Sequence, residues 1–307
     1  MGIAGAEGVH LKQVPARELV LKHYSKNILA AVARVAGVSF VLFLSLSTSF
    51  SQQAARAQVP FSPGEEIIYQ AEFNKGLLHG IDAAEFRFKA EVAPVRGRGI
   101  SGDEPSNLRL IGDVVSKGLF VRIAGFHFHE HVESIVDPGP FTVLRTSKLE
   151  EQGKRIRTSE AVFDHEVRKV TWTERDPNQS QPARSNAVDF SEPIQDILTV
   201  IYFLRTQKLE VGKSFEVPIS DSGRVFRFVV NVVQRKQIKT VLGRVNAVRV
   251  EPSLFGDTAL VQSRGSLSIW ITDDSRRLPV KAQLKVDFGT FDIKLKRVTY
   301  HDGAGLR

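Results

Sequence analysis

From Phe61 onward, apolar and polar residues alternate with a period of two through most of the chain, the pattern of antiparallel strands with one buried and one solvated face. Residues 82–92 are the clearest case. Ala84, Phe86, Phe88, Ala90 and Val92 fall on one side, and Glu85, Arg87, Lys89 and Glu91 on the other. Comparable segments run through Glu66–Phe73, Leu108–Val115, Leu119–Phe128, Phe141–Leu149, Ile156–Phe163, Lys169–Thr173 and Ser214–Val217, then Val225–Val233, Val241–Val250, Leu260–Ile271, Val280–Val286 and Phe291–Val298. About a dozen strands with short polar connections predict an all-β, mainly antiparallel fold: a curved sheet, a sandwich or a partly closed barrel.

One segment departs from this rhythm. Ile194, Ile197, Leu198, Ile201 and Leu204 follow helical spacing, so a single α-helix is expected near 192–205, packed on the sheet through those residues. Ser191 is placed to cap it, and Glu192 and Asp196 suit the positive end of its dipole. The preceding stretch 173–191, rich in Pro, Asn, Gln and Ser, reads as a polar loop that could divide two β halves. Neither half shows a clear repeat, so residues 58–307 are expected to form one β-rich domain.

The N-terminal residues obey different rules. Lys12, Arg17, Lys22, Lys26 and Arg34 scatter charge over a long polar region, the twelve residues Val35 to Leu46 are almost wholly apolar, and Ala55-Arg56-Ala57 offers small residues at a cleavage position. This is the order of an export signal, residues 1–57, cut after Ala57. The alternative is an uncleaved inner-membrane anchor over residues 35–55. A spanning helix needs about 20 predominantly apolar residues, and Ser45, Ser47, Thr48, Ser49, Ser51, Gln52 and Gln53 dilute the second half.

Composition narrows the chemistry. The 307 residues contain no Cys, which removes disulfides, thiol catalysis, iron–sulfur clusters and thioether lipid anchors. Cleavage after Ala57 takes six Lys or Arg and two Glu from totals of 42 and 34, leaving 36 basic against 32 acidic side chains, a net +4. With no run of five basic residues, nucleic acid is not an expected partner.

Several motifs carry a resemblance. Phe61-Ser62-Pro63-Gly64-Glu65-Glu66-Ile67-Ile68-Tyr69 holds a Pro-Gly-Glu followed by an apolar residue and Tyr, and Glu133-Ser134-Ile135-Val136-Asp137-Pro138 holds a Ser-x-Val-Asp turn. Further on come the helix from Asp196 to Arg205 with Leu209-Glu210-Val211-Gly212, the stretch Leu267 to Val280 with Trp270, Asp273, Asp274 and Arg277-Leu278-Pro279, and a closing Gly289 and Phe291. In this order they resemble the domain of unknown function 3108 family of exported bacterial proteins, over almost all of residues 61–298. The resemblance implies an envelope-facing β-rich domain without an assigned activity. Where that family usually has acidic and aromatic residues before its Ser-x-Val-Asp turn, this chain has histidines.

Those histidines are the most chemically suggestive feature. In Phe126-His127-Phe128-His129-Glu130-His131 the three imidazoles share one strand face, with neighbours separated by roughly 6.5–7 Å of rise. His127 and His129 are therefore candidate ligands for one metal ion, with a third ligand from Glu133, His165 or Glu166; a polar strand face opposite Phe126 and Phe128 explains the same pattern. Gly97-Arg98-Gly99-Ile100-Ser101-Gly102 matches a dinucleotide fingerprint, but Asp103-Glu104-Pro105 follows instead of a helix, so it reads as a hairpin loop. No nucleophile elbow, metalloprotease helix or P-loop is present. Basic residues gather loosely at Lys148–Arg157 and Arg235–Arg244, as solvated faces, edge protection or contacts to anionic surfaces. The expectation is a periplasmic or otherwise exported, non-catalytic binding or envelope-assembly module, with no cofactor and an apolar or glycan ligand on a concave face that includes Phe86 and Phe88. Its partners would be lipid, glycan or another envelope protein, with membrane contact only through an uncleaved N-terminus. The rivals are a metal-dependent enzyme using His127 and His129, and a scaffold that binds through an exposed sheet edge.

Overall fold

Strand after strand pairs with its predecessor, so alternation in sequence becomes two faces of one sheet. The computed structural model describes residues 59–93, 107–125, 127–179, 182–256 and 260–301. The predicted signal in residues 1–57 and the glycine motif Gly97–Gly102 lie outside the described residues. The first run of strands is β1 (Glu65–Lys75), β2 (Leu78–Val92), β3 (Leu108–Ser116), β4 (Phe128–Asp137), β5 (Thr142–Gln152), β6 (Arg155–Asp164), β7 (Lys169–Arg175) and β8 (Arg184–Asp189). The second is β9 (Ser214–Asp221), β10 (Arg224–Thr240), β11 (Gly243–Pro252), β12 (Gly265–Thr272), β13 (Pro279–Val286) and β14 (Gly289–Tyr300).

These fourteen strands form a single antiparallel sheet in which the two meanders join where β1 pairs with β14, leaving β8 and β9 as the edges. The all-β expectation holds in its curved-sheet form, and the sheet is not closed into a barrel. A turn that only glycine can make sets the central seam. Gly64 has φ +93°, and a Cβ there would lie 2.0 Å from the His301 carbonyl oxygen; its own carbonyl accepts from the His301 N–H at 2.8 Å.

Three local expectations are corrected. Leu119–Phe128 does not form a strand. The helix α1 (Gly118–Ala124) occupies most of it, ending at Gly125 with φ 76°, and Phe120 packs with Phe73 and Phe291. Two apolar residues in a row, Leu119 and Phe120, already conflict with strict alternation. The stretch 173–191 is not wholly loop, since β7 runs to Arg175 and β8 forms a polar, exposed edge within it. An edge strand wet on both faces has no hydrophobic period to reveal it.

The predicted helix near 192–205 is shorter than its apolar spacing indicates: α2 spans Thr199–Thr206. Gln195 pairs instead with β9, its N–H donating to the Pro218 carbonyl at 3.0 Å and its carbonyl accepting from the Ser220 N–H at 2.8 Å. Asp196, not Ser191, caps the turn that leads into α2, with Oδ1 accepting from the N–H groups of Leu198 and Thr199 at 2.8 and 2.7 Å. The Gln195 side chain donates to the Phe141 carbonyl at 3.0 Å, and Asn186 donates to the Gly223 carbonyl at 2.6 Å. Asn186 thereby ties the edge strand β8 to the β9–β10 turn, and the segment that leads into α2 ties β9 to Phe141.

Candidate functional site

The concave face can be read as rows of residues directly opposite one another on neighbouring strands. One row runs Tyr69, Phe86, Val114, Glu130, Glu150 and Arg157 across β1 to β6. The next runs Ile67, Phe88, Gly112, Val132, Lys148, Ser159 and Glu174 across β1 to β7. Both are apolar over β1–β3 and both turn polar at β4 or β5. Alternation makes each strand amphipathic; the change along the rows divides the interior into a greasy half and a charged half.

Helix α2 lies over the greasy half. Its Leu198 side of entry comes close because β3 has no side chain at Gly112, where a Cβ would sit 3.0 Å from Leu198 Cδ1. Between the helix and the sheet remains a partly open cavity of about 230 Å³, lined by Phe86, Val114, Leu198, Ile201, Ile269 and other apolar side chains. Glu130 is the one charged residue in that lining. The expected floor residues Phe86 and Phe88 are both present, with ring centroids 6.5 Å apart.

Beyond it, a pocket of about 30 Å³ is lined by Lys148, Ser159, Trp172, Asp196 and Asp221, and shares Val132 and Ile197 with the first. Glu130 and Lys148 stand at the boundary, 2.9 Å apart from Oε2 to Nζ. At that distance the ammonium is the charged partner of the buried Oε2. Burial pushes the Glu130 carboxyl above its usual range, and the Lys148 charge offsets only part of this. Burial works against the Lys148 ammonium too, but Glu130, Asp221 and Glu150 outweigh it and hold its proton more tightly than usual.

A second buried pair fixes the helix. Arg205, wholly buried at the end of α2, meets Glu65 through Nη1–Oε1 at 2.5 Å and Nη2–Oε2 at 2.9 Å. It also donates to the carbonyls of Pro60 and Arg276 and lies 5.1 Å from the Phe61 ring centroid. Arg277 Nη1 donates to the last carbonyls of α2, reaching Gln207 O at 2.8 Å. The Asp274 carboxylate accepts the N–H groups of Arg276 and Arg277 and so caps the loop between β12 and β13. Pro60, Phe61 and Glu65, the helix and the β12–β13 loop thus converge on one arginine.

The opposite face of β4 carries the histidines. His129 Nδ1 lies 2.9 Å from Glu151 and its Nε2 3.7 Å from Asp113, while His131 Nδ1 lies 2.7 Å from the same Asp113 oxygen and its Nε2 3.1 Å from Glu133. Glu133 in turn accepts from Arg109. Burial lowers the affinity of His131 for its proton, but the two carboxylates more than offset this and raise its pKa above the usual imidazole value. The Arg109 hydrogen bonds hold the Glu133 carboxyl below its ordinary range. His127 stands apart, exposed before β4, its carbonyl accepting from Gly153 N–H at 2.9 Å. The structure therefore places His129 with Asp113 and Glu151 rather than with His127, and His165 elsewhere, its Nε2 2.6 Å from the Val143 carbonyl. Among the described residues, no three His, Asp or Glu side chains are arranged to hold a metal ion.

A family model described as "Protein of unknown function (DUF3108)" matches residues 68–296. The chain belongs to the DUF3108 family. No match is found among curated proteins. Solved structures similar to this DUF3108 chain include a beta-barrel-like protein of domain of unknown function DUF1849 from Brucella abortus, 10% identical with TM-score 0.48. Two others are a protein from Bacteroides fragilis described as exported, with a YmcC-like fold (8%, TM-score 0.33), and one from Parabacteroides distasonis described as a lipoprotein (11%, TM-score 0.30). Each comparison covers 78% of this chain and 98% of the other.

Sequence reasoning reached Phe86, Phe88 and the helix of this DUF3108 domain but missed Glu130 and Lys148. Glu130 was visible as the one charged member of the otherwise apolar or small set Phe128, Val132, Ser134 and Val136 on β4. Lys148 belongs to one of the two loose basic clusters, yet it and Arg157 face inward, to Glu130 and Glu174.

Proposed function

We propose that this DUF3108 protein is an exported, non-catalytic binding module of the cell envelope that holds an apolar ligand between α2 and the concave face of its sheet. The cavity carries the reading. An engineered apolar cavity of about 150 Å³ binds benzene, and drug-sized sites begin near 300 Å³. A 230 Å³ space suits an aromatic group or a short aliphatic chain. Its lining offers the rings of Phe86 and Phe88 and several branched aliphatic side chains, but not the many hydrogen-bonding groups that a glycan's hydroxyls need. Lipid is accordingly the favoured class among the expected partners. Export rests on the signal pattern of residues 1–57. None of the helices among the described residues is long and apolar enough to cross a membrane.

Native mass spectrometry of the protein purified without detergent, beside a denatured aliquot, tests both parts. The expected result is a polypeptide beginning at Gln58 that carries a small non-covalent mass lost on denaturation. A chain still bearing residues 1–57 contradicts cleavage. Failure to retain or take up any apolar compound contradicts the binding role.

A further inference from the structure

We propose that the occupant of this cavity is an amphiphile whose hydrocarbon part lies under α2 and whose hydrogen-bond-donating head, an amine or a hydroxyl, sits at the Glu130–Lys148 boundary. The inference rests on the binding role above and adds the chemical class of the ligand. Three observations carry it.

The apolar cavity and the small polar pocket adjoin at Val132 and Ile197, which line both. Glu130, 6% exposed, is the one charged residue lining the cavity, and among the described residues Lys148 is the one basic side chain within ion-pair distance of its carboxylate. A carboxylate offers about four acceptor sites, so it can take a donor delivered by a ligand beside the ammonium. The local charges then select the head. Lys148 already has Glu130 at 2.9 Å and Glu150 at 3.9 Å, and Asp221 lines the same polar pocket. An anionic head would meet three carboxylates around one ammonium, whereas a donor meets acceptors. Asp196 does not compete for that donor, because its carboxylate already accepts from Ser134, Thr146, Leu198 and Thr199.

Trp172 lines the polar pocket and is one of two tryptophans in the chain. Its fluorescence should report head-group arrival, with a Trp172→Phe control to assign the signal. Octylamine, octanol and octanoate, titrated below their aggregation limits, present one tail with three heads. Octylamine and octanol are expected to bind at least tenfold more tightly than octanoate. Glu130→Gln should remove most of the amine preference while leaving octanol binding within about threefold. The double variant Glu130→Gln/Lys148→Met leaves no lone buried ion and should show the same loss, which guards against a folding defect in the single variant.

Octanoate binding as tightly as octylamine would overturn the head-group assignment while leaving the binding role intact. An amine preference that survives both variants would also overturn it. If none of the three compounds binds a folded protein, the binding role itself falls.

Discussion

Two buried ion pairs sit on the same concave side of the sheet and differ in completeness. Arg205 and Glu65 meet through two hydrogen bonds, and the remaining guanidinium donors reach the backbone carbonyls of Pro60 and Arg276. Glu130 and Lys148 make one close contact, and Glu130 lines a cavity. A pair whose three guanidinium nitrogens are all hydrogen-bonded inside the protein holds the fold together. A pair joined by one contact beside a cavity has carboxylate acceptor sites left to meet something else. The first anchors the end of α2; the second faces the volume that α2 covers.

Substitution should separate the two. Arg205→Met strands Glu65 in the interior and frees two carbonyls, and the expected loss is about 3–5 kcal/mol in denaturant unfolding. Replacing both members by apolar residues, Glu65→Leu with Arg205→Met, should still destabilise, because the carbonyls of Pro60 and Arg276 lose their donors. If that double variant were as stable as the parent, Arg205 would not be the anchor described. Next in size is Leu198→Ala, expected to cost about 2–5 kcal/mol while enlarging the cavity under α2.

Lys148→Met should cost less, about 1–3 kcal/mol at neutral pH, the penalty of a buried group left without its partner. Its sign with pH is fixed by Glu130. The folded-state pKa of Glu130 is already raised by burial, and loss of the ammonium raises it further, so the folded variant binds protons more readily than the unfolded one. The defect should therefore shrink as pH falls and grow as pH rises through the folded pKa. Stability of parent and variant measured from pH 4 to 8 checks this, and a defect that is flat with pH would show that Glu130 is not left charged in the variant.

The smallest effect belongs to the histidine ladder on the outer face. His131 has a raised folded pKa, so its contribution is complete below about 6.5, the unfolded value, and is lost as pH rises through the folded value. Glu133 has a lowered pKa, so its contribution is present above about 4.5 and lost as pH falls. The advantage of the parent over His131→Gln should peak between those values, as followed by thermal unfolding across pH. An advantage that increased above pH 7 would contradict the ion-pair geometry.

How much of this was legible depended on whether burial leaves a periodic trace. Strands with one dry face, such as β2 with Ala84, Phe86 and Phe88, announced themselves by alternation. β8 packs only Val188 on the core and so left no period, and α1 is seven residues long, too short for helical periodicity to outweigh an apolar run. The helix over 192–205 was found from its apolar spacing, but the boundary moved because Gln195 could satisfy its backbone on β9 and Asp196 could cap the turn beyond. The site was half readable. Phe86 and Phe88 follow from the pattern of one strand, whereas Glu130 and Lys148 are neighbours only through the register of β3, β4 and β5. The His-x-His spacing of His129 and His131 put both on one face as expected, but it is the cross-strand partners Asp113 and Glu151 that decide what those imidazoles touch.

The most direct test of ligand binding under α2 is a methyl NMR titration of the protein with octanol. The account predicts shifts concentrated on the methyl groups of Val114, Leu198, Ile201 and Ile269, which line the cavity, with those of Val143 and Val170 under the charged half unmoved. Shifts spread evenly over both sets, or confined to Val143 and Val170, would contradict it.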